Sequence, residues 1–172
     1  RNHWRSALIV GTLLFLGGNG GVVWAEQWVS SGLAALMIAT EPIWIAVLTP
    51  VVQGGKMPSG RVFVGLAAGF GGVALLVGSG GEGGLDVAGA TILVVSALSW
   101  AIGSLYSPRA AFPKSQVLSS AMTMLAGGTV LVVAGLLRGE ASALTAAELS
   151  LRSILSFAYL VVFGSIVAFS AY

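Results

Sequence analysis

The charged residues of this 172-residue chain stand in small clusters separated by runs of about 20 uncharged ones. At about 1.5 Å of rise per residue, such a run of helix reaches about 30 Å, the thickness of a bilayer's hydrocarbon core. Six runs account for nearly the whole chain: Ser6 to Ala25, Trp28 to Gln53, Val62 to Gly78, Val87 to Ser107, Gln116 to Leu137 and Ser153 to Tyr172. Only Glu41 interrupts one of them. Lipid offers no water to backbone N–H and C=O groups, so runs of this length close their own hydrogen bonds as helices. The expected fold is all-α: a polytopic membrane helix bundle with short connections and no soluble domain.

Composition then removes most chemistries. Charged residues are 8% of the chain, against about 25% in soluble domains, too few to coat a water-facing globule. Cysteine is absent and His3 is the single histidine, which excludes disulfides, thiol nucleophiles, iron–sulfur clusters and His/Cys zinc sites. Gly78, Gly80 and Gly83 have the spacing of a dinucleotide-binding turn but follow a membrane run instead of a strand. Gly55-Lys56 lacks the Ser or Thr of a phosphate loop, with Met57 in its place. Gly164-Ser165 has no histidine base nearby, and the sole aspartate, Asp86, lies in a loop, so the two buried aspartates of an intramembrane aspartyl protease are lacking. No catalytic residue, no metal site and no cofactor is expected, and the chain is not read as an enzyme. A net charge of +2 does not indicate nucleic acid, because so few charges are arranged for another purpose.

That purpose is topology. One set of alternate loops holds Arg1, Arg5, Lys56, Arg61, Arg109 and Lys114 with no acid; the other holds Glu26, Glu82, Asp86, Glu140 and Glu148 with Arg138 and Arg152. Cytoplasmic loops are enriched in Lys and Arg, so the N-terminus, Ser59 and Lys114 are expected in the cytoplasm, and Ser79 and Ser142 outside. The expected location is a cell membrane, crossed several times, of the bacterial inner-membrane type. The Gly-rich stretch from Gly78 to Gly84 divides the chain into two sets of three helices, 1–80 and 81–172.

Small residues recur at helical spacing: Gly65, Gly69 and Gly72; Ala121, Gly128 and Ala134 or Gly135; Ser31, Ala35 and Ala39. Within lipid, close backbone approach is a main source of packing energy, and these stripes read first as helix-packing faces. Glu41 is more informative. It lies 13 residues after Trp28 and 15 before Lys56, near mid-depth, where an acid costs about 2.5–3.5 kcal/mol on insertion scales. Pro42 follows it; lacking an N–H, it frees the Ile38 carbonyl and kinks the helix, as Pro50 frees that of Ala46. A kinked helix with an ionisable group and free carbonyls at mid-depth is how transporters build substrate or coupling-ion sites. Thr40 and Trp44 share this neighbourhood, and Asn19, Trp100 and Ser165, each on another run, are the further candidates for substrate binding or coupling. The alternative is that Glu41 locks two helices together.

The segments from Gly18 to Gln27 (GNGGVVWAEQ), Ser31 to Ala35 (SGLAA) and Ala39 to Trp44 (ATEPIW) resemble the EamA-type permeases of the drug/metabolite transporter superfamily. Gly65 to Leu76, Ser99 to Ser104 and Phe163 to Phe169 look similar to the same family, so the resemblance runs along nearly all of the chain. It implies a ten-helix fold of two five-helix inverted repeats, of which residues 1–80 would be the last three helices of the first and 81–172 the first three of the second, a chain cut from something larger. It also implies secondary transport of small metabolites or drugs by alternating access. Sliding the sequence against itself by 146 residues sets Gly18-Asn19 against Gly164-Ser165, a weak internal match in keeping with such a repeat. The expected partners are a small-molecule substrate, the lipid bilayer and, as a candidate assembly, a second copy in a homodimer. The competing class is a non-transporting membrane scaffold.

Overall fold

The computed structural model describes residues 2–54, 57–78, 86–142 and 150–167. Helix α1, Asn2–Ala25, is continuous over 24 residues, and its middle, Thr12–Gly20, is wound as a π-helix. Helices α2, Ser31–Ile38, and α3, Glu41–Gln53, lie end to end across a break at Ala39 and Thr40. Helix α4 is Gly60–Gly78 and α5 is Val87–Tyr106, which tightens into a 3-10 turn to Arg109. Helix α6 is Gln116–Leu137, and α7, Leu151–Tyr159, passes into a second π-helical stretch, Leu160–Val167. Among the described residues there is no strand, and the fold is an all-α polytopic membrane bundle. Among the described residues four of the six expected runs, within Asn2–Ala25, Ser31–Val52, Val87–Arg109 and Gln116–Leu137, form helices long and apolar enough to span a bilayer. Residues 79–85, with Ser79 and most of the Gly-rich stretch, lie outside the described residues.

Local chemistry sets the helix starts. Four helices begin after a side-chain cap: Ser30 accepts from the Leu33 N–H, Asp86 from Gly89, Ser115 from Leu118 and Ser150 from Ser153, each satisfying an N–H that has no partner within the helix. Helix α1 begins at Asn2, four residues before its uncharged run, so His3 and Arg5 ride on its first turns.

The packed centre is α1, α5 and α6. Ser96, Ser99, Trp100 and Gly103 of α5 meet Gly21, Gly17, Gly18 and Leu14 of α1; the numbering falls on one helix as it rises on the other, so the two are antiparallel. Helix α6 runs parallel to α1, with Gly127 against Gly11 and Phe15, and Leu131 against Gly20. His3 Nδ1 donates to the Ala111 carbonyl at 2.9 Å, fixing the start of α1 beside the α5–α6 loop. The buried side chains here are mostly small: Ala7, Ala25, Ala97 and Ala101 are fully buried, with Leu93 the largest. In lipid, where apolar burial gives helices no drive to associate, small residues gain packing energy by letting backbones approach. At the α1–α6 crossing a Cβ on Gly11 would stand 2.7 Å from the Gly127 nitrogen and 2.8 Å from the Thr123 oxygen.

The three small-residue stripes are not the packed faces. Gly65, Gly69, Gly72 and Gly128 have open space where a Cβ would stand, and Ser31, Ala35 and Ala121 are exposed. The packing positions on the same helices are Ala34 on α2 and Met122, Thr123, Ala126 and Gly127 on α6. Glycine spacing recurs on several faces of a helix, and only the partner selects one: Gly11 selects Gly127, one position before the stripe residue.

Candidate functional site

The α2–α3 break sits in the middle of the second crossing. The Thr40 N–H turns back to the Met37 carbonyl at 3.2 Å and the Ile43 N–H to Thr40 at 2.9 Å, tight turns that replace the regular ladder around Pro42. Thr40 Oγ1 also donates to Met37 O, at 2.6 Å. Pro42 has no N–H for the Ile38 carbonyl. Helix α3 continues through Pro50 to Gln53, where Thr49 Oγ1 donates to the Ile45 carbonyl at 2.6 Å. Glu41 opens α3 and is half-buried, with its carboxylate in no hydrogen bond or ion pair among the described residues. One turn on, the Trp44 indole N–H is buried and has no acceptor among the described residues. An acid and an indole donor, both unpartnered, therefore flank a broken helix at mid-depth.

Asn19 and Trp100 occupy a second region, on the π-helical stretch of α1 and its neighbour. A π-helix leaves the ordinary ladder, and here two side chains bond to its carbonyls. Ser99 Oγ on α5 donates to Leu13 O at 2.8 Å, and Asn19 Nδ2 donates to Leu14 O at 3.1 Å. Trp100 lies against the face of α1 at Gly18, where a Cβ would collide with its indole ring. Beside this stretch, α1, α5 and α6 enclose an open cleft of about 850 Å³. Asn19 lines it, whereas Thr40, Glu41, Trp44 and Trp100 do not. Ser165 falls in the second π-helical stretch, and its side chain lies outside the described residues. The structure thus sorts the sequence candidates into two places: the helix break with Thr40, Glu41, Pro42 and Trp44, and the π-helical face with Asn19 and Trp100.

Sequence reasoning missed the mouth of the cleft. Arg138 stacks over the Trp24 ring at 4.4 Å and stands 3.8 Å from Glu140. Trp24 packs edge-on against Trp28, with ring centroids 5.7 Å apart. The available signal was Arg138 itself, a base among the acidic loops, which charge counting used only for topology. Among the described residues no cluster of His, Asp and Glu is placed to hold a metal ion.

The chain is 38% identical over 168 residues to the uncharacterized inner membrane transporter YedA of Escherichia coli strain K12, a match that covers 97% of this chain and 53% of that protein. It is 27% identical over 109 residues to the uncharacterized transporter YvbV of Bacillus subtilis strain 168, covering 63% of this chain and 35% of the relative. The chain spans about half the length of the YedA relative. No protein-family model matches it, and no solved structure matches it significantly. The apolar crossings and these relatives together make the chain a multi-pass inner-membrane protein.

Proposed function

We propose that the chain forms part of a secondary transporter of small metabolites or drugs, of the EamA type in the drug/metabolite transporter superfamily, working by alternating access. The observation that carries the reading is the α2–α3 break, where the Glu41 carboxylate and the Trp44 N–H lack partners among the described residues, near the middle of a crossing. Charged groups inside a membrane segment are costly and stay where a pathway or site uses them. Broken helices supply backbone groups to a ligand at the same depth. Relatives named as transporters support the same class.

The division at residue 80 into two repeats has support of its own. The π-helical stretches Thr12–Gly20 and Leu160–Val167 overlap when the sequence is shifted by the 146 residues that align Gly18-Asn19 with Gly164-Ser165. The first helix of one set and the last helix of the other thus share an uncommon backbone form.

The test is an uptake and efflux panel of amino acids and toxic analogues, run on the wild-type protein and on Glu41→Gln with abundance measured in the same cells. Glutamine keeps the size of the side chain and removes its charge and its exchangeable carboxyl proton. Transport by the wild type that falls at least tenfold in an equally abundant Glu41→Gln protein, about 1.4 kcal/mol, is the expected result. Unchanged transport in that variant makes Glu41 a packing group, as a scaffold reading requires.

A further inference from the structure

The cleft between α1, α5 and α6 is separate from the helix break, since none of Thr40, Glu41 and Trp44 lines it. Its volume of about 850 Å³ lies within the 300–1,000 Å³ range of small-molecule sites. The walls are apolar, with Leu16 and Val23 from α1, Val95 from α5, and Leu131 and Val132 from α6. They run from the ends of α1 and α6 inward by about two turns, or about 10 Å. The charged groups gather at the mouth, where Trp24, Arg138 and Glu140 line the rim; Asn19 and Ser96 interrupt the apolar wall further in, with side chains bonded to the Leu14 and Ile92 carbonyls. Trp24 there stacks with Trp28, and aromatic pairs of this kind sit at headgroup level. An apolar slot that starts at headgroup depth and leads into the hydrocarbon has the form of an acyl chain below its headgroup.

The charges at the rim narrow the headgroup. Arg138 and Glu140 are 3.8 Å apart and both side chains are more than half exposed, so each keeps free hydrogen-bonding capacity toward the outside. Gly139 between them adopts φ 79°, a left-handed turn that ends α6 and folds Glu140 back over Gly135. Arg138 is fixed over the Trp24 ring. A guanidinium and a carboxylate side by side carry no net charge: they complement a headgroup with one anionic and one cationic end, whereas a purely anionic headgroup uses the Arg138 half alone and leaves Glu140 without a counter-charge.

We infer that this cleft binds a phospholipid of the ethanolamine type, with one acyl chain between α1, α5 and α6, its phosphate on Arg138 and its ammonium group on Glu140. The test is native mass spectrometry of the chain released from detergent after addition of phosphatidylethanolamine, phosphatidylglycerol or free leucine. The expected result is retention of phosphatidylethanolamine over phosphatidylglycerol by about threefold to tenfold, the range set by exposed and charge-assisted pairs. Glu140→Gln removes that preference, and Arg138→Gln lowers retention of both lipids; both positions lie beyond the end of α6, and circular dichroism of each variant checks that the helices are kept. Leu131→Trp, which fills the slot, lowers retention of both lipids at unchanged helicity by circular dichroism. Equal retention of the two lipids by the wild type overturns the inference. Displacement of the lipid by leucine also overturns it, assigning the cleft to a soluble zwitterion.

Discussion

Glu41 and Gly127 mark the two costs this chain meets at single residues: an acid kept within an apolar crossing and a crossing too close for a side chain. Glu41 was legible from sequence because a lone acid in an apolar run has few alternatives. Gly127 was not. The spacing pointed to Gly128, and only Gly11 on α1 distinguishes the two. At Gly127 a Cβ would lie 2.8 Å from the Gly11 oxygen, backbone that no rotamer change can move aside. Gly127→Ala should therefore lower stability by about 1–3 kcal/mol, the usual cost of overpacking, whereas Gly128→Ala, with open space around it, should change it by less than about 0.5 kcal/mol. Denaturant unfolding of the two variants in detergent checks this; equal effects would contradict the assigned crossing.

Among elements, four of the six expected apolar runs, found as long apolar helices among the described residues, and the break before Pro42 were readable because length and proline chemistry act locally. The π-helical form of Thr12–Gly20 was not, since it depends on bonds from outside the ladder. Asn19 supplies one within α1, but Ser99 comes from a helix 86 residues further along the chain. The same distinction yields an expectation. Ser99 Oγ ties α5 to the Leu13 carbonyl, whereas Thr91 Oγ1, exposed on α5, bonds only to Val87 of its own helix. Ser99→Ala should cost about 1 kcal/mol, the net worth of one hydrogen bond and more if Leu13 O is left unpaired. Thr91→Ala should cost almost nothing. Unfolding midpoints that move alike in both variants would remove Ser99 as the clasp of the π-helical stretch.

For the whole molecule, the alternation of helix direction matches the charge pattern. Helices α1 and α6 run one way and α5 the other, and the bond from His3 to Ala111 gathers the start of α1 and the loop bearing Arg109 and Lys114 at one end. Arg138 and Glu140 stand beyond the far end of α6. Which end meets the cytoplasm is an expectation from the positive-inside rule. What sequence could not show was the separation of the candidate residues into two places. It gave Asn19 and Trp100 as further candidates beside Glu41 and Trp44 without saying which faced which, because depth along a helix can be counted but azimuth against a partner cannot.

The central claim is that water reaches the break beside Glu41. The chain has no native cysteine, so a single thiol reports its own surroundings, and a thiol reacts with a water-soluble reagent only where it can ionise. The deciding measurement is labelling of Glu41→Cys in lipid vesicles by a charged maleimide, beside Val64→Cys on α4, 70% exposed in a run that the sequence expects to cross the bilayer and so expected to face lipid. The account predicts that Glu41→Cys is labelled and Val64→Cys is not. An unlabelled Glu41→Cys in a folded, reconstituted protein would contradict it and leave Glu41 sealed between helices.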